Sequence, residues 1–337
     1  MALTVASFFA GAGGMDVGFK MAGFNVVWAN EFDKDIWDTY AKNHPNTVLD
    51  KRSIFNIPSS DVPDTDGIIG GPPCQSWSAA GKNLGTQDVR GKAFFEYIRI
   101  LNDKNPKFFV IENVEGLTRK THEKALMLIL TDLSQCGKVG YKLFHSVLTA
   151  SDYGVPQDRK RLFIIGIRRD IGVTYTPPLK SSHKVCLRDA IYDLHGKAIA
   201  TKTSVTSNPM CYLDAGWSSN FMSRNRVRLW DECAFTVPAS SRHVTIHPQA
   251  PKMIPLEGDK FGFVAGKEHL YRRFTIAELS RIQTFPDDYF VFRNINTAHK
   301  MVGNAVPCKM AEAVGRSLIK AVSASPKSKM AITIKRR

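Results

Sequence analysis

Thr4-Val5-Ala6-Ser7-Phe8-Phe9-Ala10-Gly11-Ala12-Gly13-Gly14 opens the chain on a β-rich run that breaks into a cluster of glycines, and the residues that follow, through Phe19, read as a helix. Strand, glycine turn and helix in that order bring backbone N–H groups to a helix start, where a ligand can approach the main chain closely. A tight turn packed for structural reasons is the competing reading, since the spacing is not GxGxxG. Further along, 26–29, 67–69, 108–111 and 162–167 read as buried strands, and 34–43, 93–101 and 123–133 as helices. This rhythm predicts an α/β, Rossmann-like large domain: a mostly parallel sheet covered on both faces, with ligands beyond the carboxyl ends of its strands.

The rhythm breaks near residue 177. Residues 177–270 are rich in Ser, Asn, Pro, Arg and isolated aromatics and read as a smaller, irregular domain. Helical periodicity resumes at 276–282 and from 306 to 319, so 271–323 are expected to return to the domain begun by 1–176, leaving 324–337 as a basic tail. The 337 residues are 43% hydrophobic, enough for a sizeable core, and 46 Lys and Arg against 31 Asp and Glu give a formal charge of +15. Such an excess favours a polyanionic partner or an acidic surface and does not by itself identify DNA. No apolar run reaches the roughly 18–20 residues a bilayer span needs, and no signal peptide is evident, so a soluble, cytoplasmic protein is expected. Six cysteines, scattered without a CxxC pair, argue against a disulfide framework and a cysteine-rich zinc site.

Three stretches carry chemistry. In Gly70-Gly71-Pro72-Pro73-Cys74-Gln75-Ser76-Trp77-Ser78 two prolines restrict the backbone just past a strand and hold a thiol forward among polar neighbours, a setting suited to a nucleophile rather than a core cysteine. Glu112-Asn113-Val114 puts an acid and an amide at the end of another apolar run, where the acid can donate to a ring nitrogen and the amide can brace a loop. Gln157-Asp158-Arg159-Lys160-Arg161 precedes a strand, and alternation puts Arg159 and Arg161 on one side of it. Two guanidinium forks there can hold a base oxygen, a phosphate or nearby carboxylates. Glu31 closes the second strand, where a carboxylate meets ribose hydroxyls in α/β nucleotide sites. Glycines and acid together suggest an adenosine-containing cofactor without separating a nicotinamide from S-adenosylmethionine.

Taken in order, the FxGxGG stretch at 9–14, the PCQ at 73–75, the ENV at 112–114, the QxRxR at 157–161 and the GNAVP at 303–307 resemble the DNA (cytosine-5) methyltransferases of bacterial restriction-modification systems. The resemblance runs nearly the full length, with the irregular middle where that family carries its target-recognition domain. It implies methylation of C5 of a flipped cytosine in double-stranded DNA, with S-adenosylmethionine as donor, S-adenosylhomocysteine as product and no metal. Cys74 would attack C6, Glu112 would meet N3 and the exocyclic amine, Arg161 the O2 side, and Arg159 and Asn113 would steady the catalytic loop. The donor pocket would draw on Phe9, Gly11, Gly13, Glu31, Phe32, Ile54, Pro73, Asn304 and Val306. Ser53 departs from the aspartate many relatives use for the adenine amino group, with Asp50 as a possible substitute. Residues 75–90 look like the loop that closes on the extruded base, with Ser76, Ser78 and Arg90 on phosphates.

Residues 221–228, 234–237 and 240–242, with GGPPCQSWS and the HPQAP at 247–251, resemble the subgroup that reads GGCC and methylates its internal cytosine. Arg224, Arg226 and Arg242 are then the expected base readers, with Thr236 supporting the turn beside the flipped base. Motif residues Arg273, Thr275, Glu278 and Arg281 look like bracing. A monomer acting beside a cognate restriction endonuclease is implied. The rival readings are an RNA or tRNA cytosine methyltransferase, a catalytically silent DNA-binding protein and, more remotely, a dinucleotide oxidoreductase.

Overall fold

The structure is a computed structural model that describes residues 2–73 and 89–324, with Val89 and Arg90 described by their backbone alone. The large α/β part runs β1 (Thr4–Phe8), α1 (Gly14–Ala22), β2 (Asn25–Asn30), α2 (Trp37–Asn43), β3 (Val48–Asp50), β4 (Gly67–Gly70), α3 (Val89–Lys104), β5 (Phe108–Val114), α4 (Glu123–Gln135), β6 (Tyr141–Thr149) and β7 (Lys160–Arg168). Its seven-stranded sheet has the order β3-β2-β1-β4-β5-β7-β6. The first five strands pair in parallel, and β7 runs antiparallel to both β5 and β6. The expected parallel sheet thus ends in a reversed hairpin, which sets the start of β7 beside the carboxyl end of β5.

Each face of the sheet is covered by its own apolar layer. Phe19, Phe24, Phe108 and Phe163 pack with Met310, Val314 and Leu318 of α8 (Cys308–Val322) on one side. Phe8, Trp28, Phe94, Tyr97, Ile100 and Leu133 form the layer on the other, beneath α3 and α4. Residues far apart in sequence therefore share one apolar layer. Gly14 shows how tightly: a Cβ there would stand 2.3 Å from the Val306 carbonyl, so only glycine lets α1 start against the C-terminal segment.

The middle of the chain is irregular. α5 (Leu187–Ile191) is followed by the parallel pair β8 (Ile199–Thr201) and β9 (Cys211–Leu213) and the antiparallel pair β10 (Ile254–Leu256) and β11 (Lys260–Gly262). Phe221, Val227, Ile246, Met253 and Tyr271 build its small core. Arg273 lies 3.9 Å from the Trp217 ring centre and donates to the carbonyls of Leu213, Ala215 and Gly216, so one guanidinium organises the turn leading into this core. α6 (Ile276–Ile282) and α7 (Ile295–Asn304) then join Leu187, Ile191, Val237 and Phe285 in a third cluster that welds the middle segment to the large part. Helix α6 has the predicted bounds and begins with a capping box between Thr275 and Glu278.

Candidate active site

The register of β5 against β7 explains the central pair. Val114 faces Arg161 and Glu112 faces Phe163, so Glu112 and Arg161 lie on one face as diagonal neighbours, within reach of long side chains. Arg161 Nε stands 2.7 Å from Glu112 Oε1, with both side chains largely buried. Strand β5 extends three residues past the expected end at residue 111, so the ENV tripeptide sits in the strand rather than in a following turn. Alternation turns Asn113 to the other face, where its Nδ2 donates to the Pro72 carbonyl at 3.1 Å and its Oδ1 accepts from Val114 N–H. A Cβ at Gly71 would lie 3.3 Å from Glu112 Oε2. The acid–guanidinium pair therefore sits directly against the segment 71–73 that leads into residue 74. Cys74, Ser76 and Ser78 themselves lie outside the described residues, as does the Arg90 side chain.

A cavity of about 400 Å³ opens at the carboxyl ends of β1, β2, β4 and β5, where the fold class places a ligand. It brings together Phe9, Gly11, Glu31, Phe32, Pro73, Glu112, Asn113, Arg161, Asn304 and Val306, gathered from six separate stretches of the sequence. Glu31 is the polar anchor: its carboxylate accepts from the N–H of Gly11 at 2.9 Å and of Asp33 at 2.8 Å. Burial pushes its pKa up. Phe32 is 69% exposed at the rim, a ring without cover. A carboxylate at the end of β2 beside an uncovered aromatic ring and a glycine floor fits an adenosine-bearing methyl donor.

Two expected pocket residues stand elsewhere. Ile54, expected against adenine, is 3% exposed and packs into the core with Trp28 and Ile57, because it opens a single 3-10 turn folded down onto the sheet. Gly13 sits below the cavity as the left-handed N-cap of α1, with φ 82°. Asp50 is chelated by Arg52, Nη2 to Oδ2 at 2.7 Å, so its carboxylate is already engaged. Conversely, the structure adds Lys300, Met301 and Ala305 to the wall. Lys300 pairs with Asp33 across the mouth. The available signal was its position one helical turn before Asn304.

Arg159 does not share the cavity with Arg161. It is 1% exposed and donates to the carbonyls of Val237 at 3.1 Å and Gly303 at 2.8 Å, tying β7 to the middle segment and to α7. Burial opposes its charge, with Arg161 adding repulsion. Gln157 works beside it: its Nε2 donates to Gln283 Oε1 at 2.9 Å, and its Oε1 accepts from Val237 N–H. Residues 157–159 thus stitch three segments together, and Gln283 had no local sequence signal.

A second, polar cleft of about 580 Å³ is lined by Asp158, Arg224, Arg226, Arg228, Thr236 and His243 among others. Arg224 is exposed, and so is Arg242 on a neighbouring 3-10 turn. Thr236 Oγ1 donates to the Asp158 carbonyl at 3.1 Å, linking this cleft to the start of β7. Arg226 departs from the other expected readers. It is buried, its Nε and Nη2 donate to the carbonyls of Phe221 and Asn220 at 2.8 and 3.0 Å, and its guanidinium stacks on the Phe221 ring. In this structure its fork is spent on holding the loop that carries Arg224.

Among the described residues there is no group of three or more His, Cys, Asp or Glu able to hold a metal ion, and no helix long and apolar enough to cross a membrane.

The fold and site define a protein of the α/β, Rossmann-like class with an acid–guanidinium pair at the mouth of the pocket beyond its parallel strands. Residues 3–320 match the family model for C-5 cytosine-specific DNA methylase. The chain is 45% identical to the Type II methyltransferase M.FnuDI of Fusobacterium nucleatum, covering 97% of each protein, and 45% identical to M.NgoPII of Neisseria gonorrhoeae, covering 94% and 96%. Among solved structures, a putative DNA modification methyltransferase encoded in an E. coli prophage superposes with a TM-score of 0.75 at 21% identity, covering 96% of this chain and all of that one. The Entamoeba histolytica methyltransferase EhMeth superposes at 0.68 with 17% identity, covering 95% and 98%, and confirms the fold. The chain belongs to the C5-cytosine-specific DNA methylase family, and it is an S-adenosylmethionine-dependent DNA (cytosine-5) methyltransferase of the Type II restriction-modification kind.

Proposed function

We propose that this enzyme methylates the internal cytosine of GGCC in double-stranded DNA, flipping the base into the site between Glu112, Arg161 and Cys74. The observation that carries the reading is the Arg161–Glu112 pair at 2.7 Å, set against the backbone of 71–73 at the mouth of the nucleoside cavity. The Cys74 thiolate adds to C6 of the extruded cytosine, and the ring's electrons move toward C5, which becomes nucleophilic. Glu112 hydrogen-bonds the N3 and amino edge, where charge builds during attack. Arg161 both aims that carboxylate and faces O2. S-adenosylmethionine would be held by Phe9, Gly11, Glu31, Phe32, Pro73, Asn304 and Val306, and would supply an electrophilic methyl group for C5, its sulfonium bond breaking to leave S-adenosylhomocysteine. A water molecule takes the C5 proton, and the freed electron pair forms the C5=C6 bond as the C6–S bond breaks, restoring the aromatic ring and the thiolate. No metal is needed for this sequence of steps.

Residues 177–270 supply target recognition, with Arg224 and Arg242 reaching base edges and Thr236 bracing the flipped base. Ser76, Ser78 and Arg90 hold phosphates around it. Extrusion costs on the order of a few kcal/mol, offset by pocket and backbone contacts. The resemblance of residues 221–228 and 247–251 to the GGCC-reading subgroup supports the target. The enzyme acts as a cytoplasmic monomer and protects DNA from a cognate restriction endonuclease. Site-resolved methylation of mixed duplexes and of structured RNA, with labelled S-adenosylmethionine, tests the whole reading. Label on C5 of the internal GGCC cytosine is expected. Label at another sequence overturns the target, and label on RNA alone overturns the substrate.

A further inference from the structure

Beneath the glycine turn that floors the donor cavity lies a polar chain which none of the catalytic steps uses. Tyr289 OH donates to the Ala12 carbonyl at 2.7 Å, and since a carbonyl only accepts, the phenol proton is committed there. His44 Nε2 lies 2.9 Å from the Tyr289 phenol oxygen and must therefore be the donor to it. On the far side of the ring, Lys20 Nζ lies 2.7 Å from His44 Nδ1, and an ammonium can only donate. The imidazole is thus required as the neutral ring with its proton on Nε2. It stacks on Tyr40 with centroids 4.3 Å apart, and Tyr40 OH together with Ser7 Oγ donates to the fully buried Asp16, one helical turn before Lys20 on α1. The ring is pressed against the turn: a Cβ on Gly13 would stand 2.4 Å from His44 Nε2.

We propose that His44 is a positioning residue for methyl-donor binding, acting through Tyr289 on the Ala12 carbonyl and held in its Nε2–H form by Lys20. The chain Lys20, His44, Tyr289, Ala12 begins on α1 and returns to the loop that precedes α1, so it sets the curvature of that loop from beneath. Gly11 and Ala12 face the cavity, and Gly11 N–H is half of the cradle of Glu31. Loosening the Ala12 carbonyl therefore displaces the backbone that orients the carboxylate meant for the donor's ribose. The arrangement is a support, with no atom of His44 in contact with either substrate. Its expected signature is a change in donor affinity with little change in turnover once donor and DNA both saturate.

Two amide replacements separate the two ends of the ring. In His44→Gln the amide nitrogen reaches the Nε2 position and can still donate to Tyr289. In His44→Asn the amide oxygen reaches the Nδ1 position, accepts from Lys20 and leaves Tyr289 without its donor. Calorimetric titration of the full-length protein with S-adenosylmethionine, with no DNA present, is expected to show His44→Gln within about threefold of the parent, and His44→Asn and Tyr289→Phe weakened roughly tenfold. Equal affinity for the Gln and Asn variants, or an unweakened Tyr289→Phe, overturns the proposal. Should the variants fold poorly, 15N-histidine NMR on the unaltered protein decides instead. Nε2 of His44 is expected at the protonated shift and Nδ1 at the unprotonated one, and the reverse tautomer or a doubly protonated ring at neutral pH overturns the proposal. Because donor binding is measured without DNA, failure here is distinguishable from an error in the target sequence.

Discussion

Glu112 and Arg161 are joined at 2.7 Å across two strands that run in opposite directions, and the reversal of β7 is what makes the pair possible. A parallel seventh strand would have sent its amino end to the opposite edge of the sheet from the end of β5. Removing either partner leaves the other largely buried without its counter-charge. Glu112→Gln keeps the shape and loses the carboxylate, and a fall in methyl transfer of about 100-fold or more is expected under single-turnover conditions. Arg161→Ala is expected to fall comparably, and the double variant by much less than the product of the two, since they act as a unit.

Arg224 and Arg226 are two residues apart and should fail differently. Arg224 is exposed at the rim of the second polar cleft, so on the proposed reading Arg224→Ala should leave the melting temperature unchanged and relax discrimination between GGCC and singly altered duplexes by about 10- to 100-fold. Arg226 is committed to two carbonyls and a ring, so Arg226→Ala should cost about 2 kcal/mol of stability. Thermal melts beside competition binding on matched and mismatched duplexes tell them apart.

Glycine 303 carries a close approach between α7 and the middle segment. A Cβ there would lie 2.3 Å from the Pro238 carbonyl, and the Gly303 carbonyl itself accepts from Arg159. Gly303→Ala is expected to destabilise by about 1–3 kcal/mol and to shift Arg159 off its anchor. A denaturant midpoint that does not move would remove this joint from the account.

Much of this architecture was legible because local patterns agree with it. Helix α6 was legible from the helical periodicity of 276–282, and the strand–glycine–helix opening stood as read. Strand β6 escaped because Lys142, His145 and Ser146 interrupt its apolar residues at the sheet edge, where one flank meets solvent. The ends of strands defeated the reading in another way: Glu112 and Asn113 look like turn residues, yet ladder bonds to β7 carry the strand through them. Contacts between polar residues far apart in sequence, such as Gln157 with Gln283 or His44 with Tyr289, leave no periodic trace. Ile54 misled for the opposite reason, since an apolar residue satisfies a core as well as an adenine face.

Acid should weaken the joint between the middle segment and α6. Burial pushes the Glu278 carboxyl up, but the paired bonds from Arg272, at 2.9 and 2.7 Å, and the adjacent His247 outweigh it and hold it down to about 2. A depressed carboxyl contributes stability that is present above its ordinary value of 4.5 and is lost as pH falls from there toward about 2. Burial also lowers His247, and lowers His299 to about 4, so the unfolded chain takes up those protons first below the ordinary 6.5. All three act in one direction, as does His44, lowered by burial to about 3, while Asp16 and Glu31, raised by burial, act in the other. The share of this joint is the part of the fall in Tm below pH 4.5 that Glu278→Gln removes. In Glu278→Gln that acidic fall should shrink, on a protein about 3 kcal/mol less stable near neutrality and closer to the parent in acid.

Covalent capture addresses the core of the account most directly. Duplex carrying 5-fluorocytosine at the internal GGCC position should, with S-adenosylmethionine, form a denaturation-resistant protein–DNA adduct, because fluorine at C5 cannot leave as a proton and the C6–S bond stays closed. The Cys74→Ala variant should form none while still binding the duplex. An adduct that persists in Cys74→Ala, or its absence from enzyme that methylates the unfluorinated duplex, would contradict a thiol nucleophile at residue 74 working beside Glu112 and Arg161.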